Sequence, residues 1–280
     1  MAIRKRVFKL IKNILFFLII YIPTLGFSLE SKPWFGDIYQ FIWKTQYAYS
    51  HFSTANGSLK PLERSYNDNL LCSDLELSYN PQWDVDVDIE FIDTPIQSFS
   101  FSSTALQLRY LLMDDVVGDA VSLVLGGGAR YVSSRSLKDI SIMYHGNMNF
   151  EASLSIGKEF NSFQMWDCRL WGYGALGLAN RGSLWLKGQF FAEGNILDKH
   201  YFTLGSLFLR SYGNKKYLDE DNFNGYGKIR QKSLDVLLRY GLKMSVWGTL
   251  YFEYKRRVIA KVCPSNVNTY SIIYKLPFSF

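Results

Sequence analysis

WDVDVDIEF, residues 83–91, alternates without a break: Trp83, Val85, Val87, Ile89 and Phe91 against Asp84, Asp86, Asp88 and Glu90. Successive side chains of an extended chain point to opposite faces, so this is a β-strand with one apolar and one acidic side. In a soluble antiparallel sheet the apolar side would meet a core and the acids would meet water. The rest of the sequence decides whether that frame applies.

The N-terminus argues against it. Arg4, Lys5, Arg6, Lys9 and Lys12 precede the apolar run ILFFLIIYI (14–22) and a short segment ending in small residues, with Gly26 and Ser28 spaced for cleavage after Ser28. Residues 1–28 therefore read as a secretory signal peptide. The alternative, an uncleaved anchor, asks more of the apolar run than its length gives. No Cys sits at the cut, which argues against a lipoprotein. Removing the leader takes five basic residues and no acid, so the formal charge falls from +6 to +1 and no nucleic-acid partner is expected. Cys72, Cys168 and Cys263 are too few and too scattered for a disulfide framework, although export permits one bridge. None has metal-ligand spacing.

Beyond the leader no apolar run is long enough for a helical span, and alternating segments recur instead. They lie at 40–50, 70–79, 83–91, 104–112, 120–131, 147–156, 163–178, 183–193, 200–210, 233–242, 248–256 and 267–280, twelve in all. Around 163–178 both parities carry apolar residues, so the face there is ambiguous. Connectors include short ones, among them 80–82, 114–119 and 157–162, and three long polar ones at 51–69, 132–146 and 211–232. Aromatics make up 17% of the chain, more than a soluble core needs.

The last strand alternates Tyr270, Ile272, Tyr274, Leu276, Phe278 and Phe280 to a terminal Phe, with Pro277 in a non-apolar slot. Here the sequence resembles outer-membrane β-barrel proteins of double-membraned bacteria. The resemblance implies that Tyr274, Leu276, Phe278 and Phe280 form the signal read by the barrel-assembly machinery. The expected fold is all-β: a transmembrane antiparallel up-and-down barrel over residues 29–280, in the outer membrane, with both mature termini in the periplasm. The apolar face of WDVDVDIEF then meets lipid and its acids face the lumen, inside a closed sheet with no unpaired edge. A soluble secreted β-sandwich would have to stack or expose all these aromatic faces.

Parity turns Asp74, Glu76, Asp84, Asp86, Asp88 and Glu90 inward as an acidic wall, and Arg109, Lys187, Arg239, Lys243, Glu253, Lys255 and Arg257 inward elsewhere. A basic arc facing an acidic wall resembles the transverse field of diffusion porins, which orients small polar solutes. The competing reading is a structural barrel whose charges pair and fill the lumen. Lys255-Arg256-Arg257 also lies near the outer rim, where basic residues either hold anionic lipid head groups or edge a solvated loop.

A second constellation lies in YSHFSTANGSLKPLERSYND (49–68). It is similar to the active-site stretch of outer membrane phospholipase A, with His51, Ser53, Asn56-Gly57 and Arg64-Ser65-Tyr66-Asn67 matching. The resemblance implies Ser53 as nucleophile, His51 as general base and Asn67 as the group orienting the imidazole. The stretch also resembles lipid A deacylases, with Glu63 in place of Asn67. Thr54-Ala55 is an insertion relative to the phospholipase, and Ser58 stands where that family has a calcium-site Arg. Enzyme or not therefore stays open. No metal or cofactor is expected, calcium excepted under the hydrolase reading. Surface adhesion through the long loops is a third reading. Expected partners are outer-membrane lipids, the assembly machinery and a small polar solute; the oligomeric state is open. Gly126-Gly127-Gly128 lies inside a strand and is no phosphate loop.

Overall fold

The structure, a computed structural model, describes residues 32–162 and 166–279. The leader over 1–28 and the terminal Phe280 lie outside the described residues. The first strands are β1 (Phe41–Phe52), β2 (Thr54–Asn56), β3 (Tyr66–Asn80), β4 (Trp83–Asp93), β5 (Ser100–Met113), β6 (Ser122–Val132) and β7 (Met148–Ser162). They are followed by β8 (Trp166–Ala179), β9 (Trp185–Ile196), β10 (His200–Ser211), β11 (Lys232–Lys243), β12 (Thr249–Lys261), β13 (Cys263–Ser265) and β14 (Asn268–Phe278). Twelve of these close into one barrel of antiparallel neighbours, and β2 pairs with β13 as a separate two-stranded ribbon. Closure pairs β14 with β1, so no barrel edge is left open.

WDVDVDIEF forms β4 with the expected polarity. Val87 and Ile89 are 39% and 41% exposed, whereas Asp84 and Asp86 are wholly buried. Leu106 and Leu108 on β5, Leu154 and Ile156 on β7, and Leu204 on β10 are likewise exposed. A sheet with apolar side chains outside and carboxylates inside is built for lipid rather than water.

The strands run further than the alternating apolar segments. β7 continues through Gly157–Ser162, which the sequence suggested as a connector, because Lys158 and Glu159 still pair in register with Leu170 and Arg169. These polar residues mark the part of the strand that stands beyond the apolar band. The ambiguous face of β8 resolves into Leu176 and Leu178 outward and Trp171, Tyr173 and Ala175 inward. At the seam Tyr274, Leu276 and Phe278 stand opposite Thr45, Trp43 and Phe41. Phe278 stacks on Phe41 with ring centroids 5.4 Å apart, and Tyr274 donates its hydroxyl to the Trp247 carbonyl.

Both described termini lie at one rim, with the connectors 81–82, 114–121, 197–199 and 244–248. The other rim carries 53–65, 94–99, 133–147, 180–184, 212–231 and 262–267. Two of these loops, 133–147 and 212–231, turn back over the barrel mouth.

Candidate functional site

The lumen wall is a set of ion pairs between neighbouring or next-neighbouring strands. Asp84 on β4 faces Arg109 on β5 in register, and the guanidinium holds both Asp84 (2.6 Å) and Glu76 on β3 (2.9 Å). Arg130 on β6 reaches back across β5 to Asp88 and Glu90. Lys44 on β1 bonds Asp74 at 2.5 Å. On the far side Arg239 pairs with Glu253 (2.6 Å), Arg257 with Asp235 (3.1 Å) and Lys187 with Glu151. Asp86 is buried between Asp84 and Asp88 on the same face of β4.

The expected separation into an acidic wall and an opposing basic arc is therefore corrected. Arg109 lies inside the acidic wall, where Lys44 pairs with Asp74, Arg109 with Glu76 and Asp84, and Arg130 with Asp88 and Glu90. Lys243 is not a lumen residue in effect: it sits at the terminal rim and bonds Asp198 at 2.5 Å. That contact is the main reason the Asp198 carboxyl is held below the usual carboxylate range. Lys44, Arg130, Glu151, Glu193 and Asp235 were missed. Each occupies the inward parity of its alternating segment, so following that parity residue by residue would have found them.

Chain segments, rather than wall side chains, close the lumen. At the terminal rim residues 32–36 enter the barrel. The Lys32 ammonium bonds Glu193 on β9 at 3.0 Å, and the Arg109 Nη1 donates to the Lys32 carbonyl at 3.0 Å. Trp34 donates its indole N–H to Asp115 at 2.8 Å and meets Trp171 edge-on, the centroids 5.9 Å apart. Trp171 in turn stacks on Phe191 and packs with Leu207 and Leu237, an apolar seat inside β8–β11. Gly157 makes room: a Cβ there would lie 2.6 Å from Pro33 and 2.8 Å from Trp34. The sequence offered no alternation at 32–36 to reveal this inner segment.

At the opposite rim the two long loops share a core. Ile140, Leu218, Phe223, Tyr226 and Ile229 are buried against Phe52 and Tyr66 of the strands and Val262, Cys263 and Val267 beside β13. Tyr226 donates its hydroxyl to the Ile140 carbonyl at 2.6 Å, and its N–H to the Tyr144 carbonyl at 2.9 Å. From this cap Tyr144 descends between Arg130 and Glu90, donating to the carboxylate at 2.5 Å. His145 stacks on Trp185, centroids 4.1 Å apart. Burial foremost, and the nearby Lys187 ammonium second, push its pKa down to about 3. Tyr144 lines lumen voids of about 40 Å³ and 60 Å³. These hold a few waters at most.

On the outer face the structure brings two of the three hydrolase candidates together. His51 and Asn67 face each other across β1 and β3, with His51 Nδ1 2.8 Å from Asn67 Oδ1. The amide oxygen only accepts, so Nδ1 carries the proton and Nε2 is left with its lone pair. Tyr49 donates to the same oxygen at 2.9 Å. Ser53 is exposed just past the end of β1 and, among the described residues, has no hydrogen bond to the His51 imidazole. The inserted Thr54-Ala55 belongs to β2, where Thr54 and Ala55 pair with Ser265 and Pro264. Glu63 is exposed in the 53–65 loop.

The Lys255-Arg256-Arg257 triplet splits by parity: Lys255 and Arg257 are buried in the lumen and Arg256 alone points outward. All three cysteines are free, so the possible bridge does not form. Among the described residues no group of three or more His, Cys, Asp or Glu is arranged to hold a metal ion.

Fold and polarity together define a transmembrane β-barrel of the outer-membrane class. No protein-family profile and no curated protein matches the chain. Among solved structures it is similar to an outer membrane channel from Pseudomonas putida F1, with a TM-score of 0.62 at 10% identity over 90% of this chain and 100% of that one. It is also similar to the NanC porin, with a TM-score of 0.53 at 8% identity over 82% of this chain and 97% of that one. At such identities the likeness is one of fold.

Proposed function

We propose that the protein is a porin-like barrel of the outer membrane, exported by its leader and inserted with both mature termini in the periplasm. It passes small polar solutes when its internal closures move aside. The observation that carries this reading is the nature of the obstruction. Residues 32–36 and 140–145 are loop segments lodged on a wall of paired charges, so the barrel itself encloses a polar bore. A purely structural barrel needs no such bore, since a narrower barrel can fill its interior with wall side chains alone. The two similar structures are named as a channel and a porin, which agrees with the reading. The test is conductance of the refolded barrel in planar bilayers, intact and with residues 32–36 deleted. Rare small openings that become frequent after deletion support a gated channel. A deleted barrel that is folded but silent makes the protein structural.

A second reading rests on the His51–Asn67 bond. It orients an imidazole on the lipid-facing surface, next to an exposed Ser53, as an acyl-ester hydrolase would require. Rotation of the Ser53 side chain toward Nε2 would complete the relay. Fatty-acid release from phospholipid or lipopolysaccharide, with and without calcium, abolished in Ser53→Ala, is the measurement that supports it; no release from either lipid removes it.

A further inference from the structure

Strand register places three cations side by side on the outside of the loop rim. Arg210 at the end of β10 is opposite Lys232 of β11, and Lys232 is opposite Lys261 of β12. All three are exposed, and among the described residues none has a carboxylate partner. Neighbouring strands lie about 4.8 Å apart, so the three α-carbons span roughly 10 Å. Like charges directly opposed on one sheet face destabilise it unless an anion lies between them. The stem of Arg210 is fixed, its guanidinium lying 5.2 Å from the Tyr212 ring centre.

The next outward row toward the membrane is Phe208, Leu234 and Ile259, again in register: Ile259 is exposed, Phe208 half-buried, and Leu234 largely covered between them. No Asp or Glu occupies an outward position on β9, β10, β11 or β12. The three acids of the neighbouring loop are engaged elsewhere: Asp219 with Asn222, Glu220 with Tyr66 and Asp221 with Lys60. On β6–β9 the outward residues at this rim are Tyr131, Met148, Leu178 and Leu186, the last in register with Arg210, so the cationic row is local.

We propose that Arg210, Lys232 and Lys261 form a docking site for a phosphate-bearing lipid of the leaflet at the loop rim. Its head group lies across the three cations and its acyl chains run down over Phe208, Leu234 and Ile259. The charge row supplies recognition of the phosphate, and the apolar row directly beneath it selects a lipid over a soluble anion. The site is independent of whether the lumen conducts.

The test is native mass spectrometry of the full-length refolded barrel titrated with bisphosphorylated lipid A. The arms are wild type, the triple variant Arg210→Gln/Lys232→Gln/Lys261→Gln, and a control with as many loop cations removed, Lys215→Gln/Lys216→Gln/Lys228→Gln. Each neutralised cation near a charged surface weakens binding about fivefold, so the triple variant loses on the order of 100-fold in affinity and the control changes little. Dephosphorylated lipid A binds wild type as weakly as lipid A binds the triple variant. Equal loss in triple variant and control, or undiminished binding by the triple variant, overturns the site. Full competition by inorganic phosphate overturns the lipid assignment in favour of a soluble anion.

Discussion

Arg109 donates from Nη1 to the main-chain carbonyl of Lys32 at 3.0 Å. Its other nitrogens hold Asp84 and Glu76. One guanidinium thus pairs with two acids of the wall and clamps the segment that blocks the terminal end of the lumen. Wall and closure meet in that side chain, beside the Lys32–Glu193 pair.

Arg109→Met breaks that coupling. Asp84 and Glu76 are 0% and 4% exposed and lose their cation, while the Lys32 carbonyl loses its donor. Removing one partner of a buried ion pair costs about 3–5 kcal/mol. Urea unfolding in lipid vesicles should show a loss of that size. Adding Asp84→Asn and Glu76→Gln should recover most of the stability without restoring the clamp, so the triple variant remains open by conductance. If it closes again, the clamp lies elsewhere.

Gly157→Val attacks the same closure from the wall. The added Cβ would lie 2.6 Å from Pro33 and 2.8 Å from Trp34, closer than its 3.0 Å approach to the Trp171 Cβ on the paired strand, so the inner segment is what yields first. Expelling residues 32–36 forfeits the burial of Trp34 and its indole bond, about 3 kcal/mol, while the barrel keeps its own stability. Conductance rises, and hydroxyl-radical footprinting modifies Trp34 faster. An unchanged footprint would mean that the segment accommodates the side chain.

The cap has an equivalent point at Gly227. A Cβ there would lie 2.4 Å from the Arg181 and His145 carbonyls, so Gly227→Val cannot keep the 180–184, 133–147 and 212–231 loops together. Cys72 packs beneath Ile142 and Tyr144, and Cys263 is part of the cap core. Both thiols should be protected from methanethiosulfonate reagents in the wild type and react in the variant. Cys168, on β8 near the opposite rim, should label equally in both. Peptide mapping of the adducts reads the difference.

These contacts also show what the sequence could reveal. β4 was legible because lipid outside and charge inside impose strict alternation, and β14 because its aromatic alternation runs to the seam. β8 was not, since Trp171 turns inward to seat Trp34 and Tyr173 turns inward into the lumen, putting apolar residues on both faces. The lumen acids of β3 and β4 were legible individually, but their partners, and Glu151, Glu193 and Asp235 on later strands, were not. Lys44 and Arg130 sit among apolar neighbours on their own strands, and only register brings Lys44 to Asp74 and Arg130 to Asp88. The closures left no periodic trace, because loops packed into a bore obey neither the strand period nor the helix period. His51 and Asn67 were legible as a pair for the opposite reason: both lie on regular outward parity, and pairing of β1 with β3 brings them into register.

Acid should loosen the cap, through His145. In the closed form this imidazole stays neutral down to a pH of about 3 because it is buried on Trp185. Once released to water it titrates near its ordinary value of about 6.5. Between these values the open form binds the extra proton, so stability of the closed cap falls as pH drops below about 6.5 and stops falling near 3. Around pH 5 the loss is about 2 kcal/mol, if opening solvates the ring fully. The groups around it oppose any protonation in place: Lys187 repels it, Arg130 is also cationic, and Glu151 is already held by Lys187 and by the Trp185 indole. Hydrogen exchange of the Tyr144, His145 and Tyr226 amides, measured from pH 7 down to pH 4 and corrected for intrinsic rates, reads the opening free energy directly. It should decline with falling pH in the wild type. In His145→Phe, which keeps the stack on Trp185 and cannot bind a proton, the decline should disappear. A decline of equal slope in both proteins would move the acid sensitivity to another group.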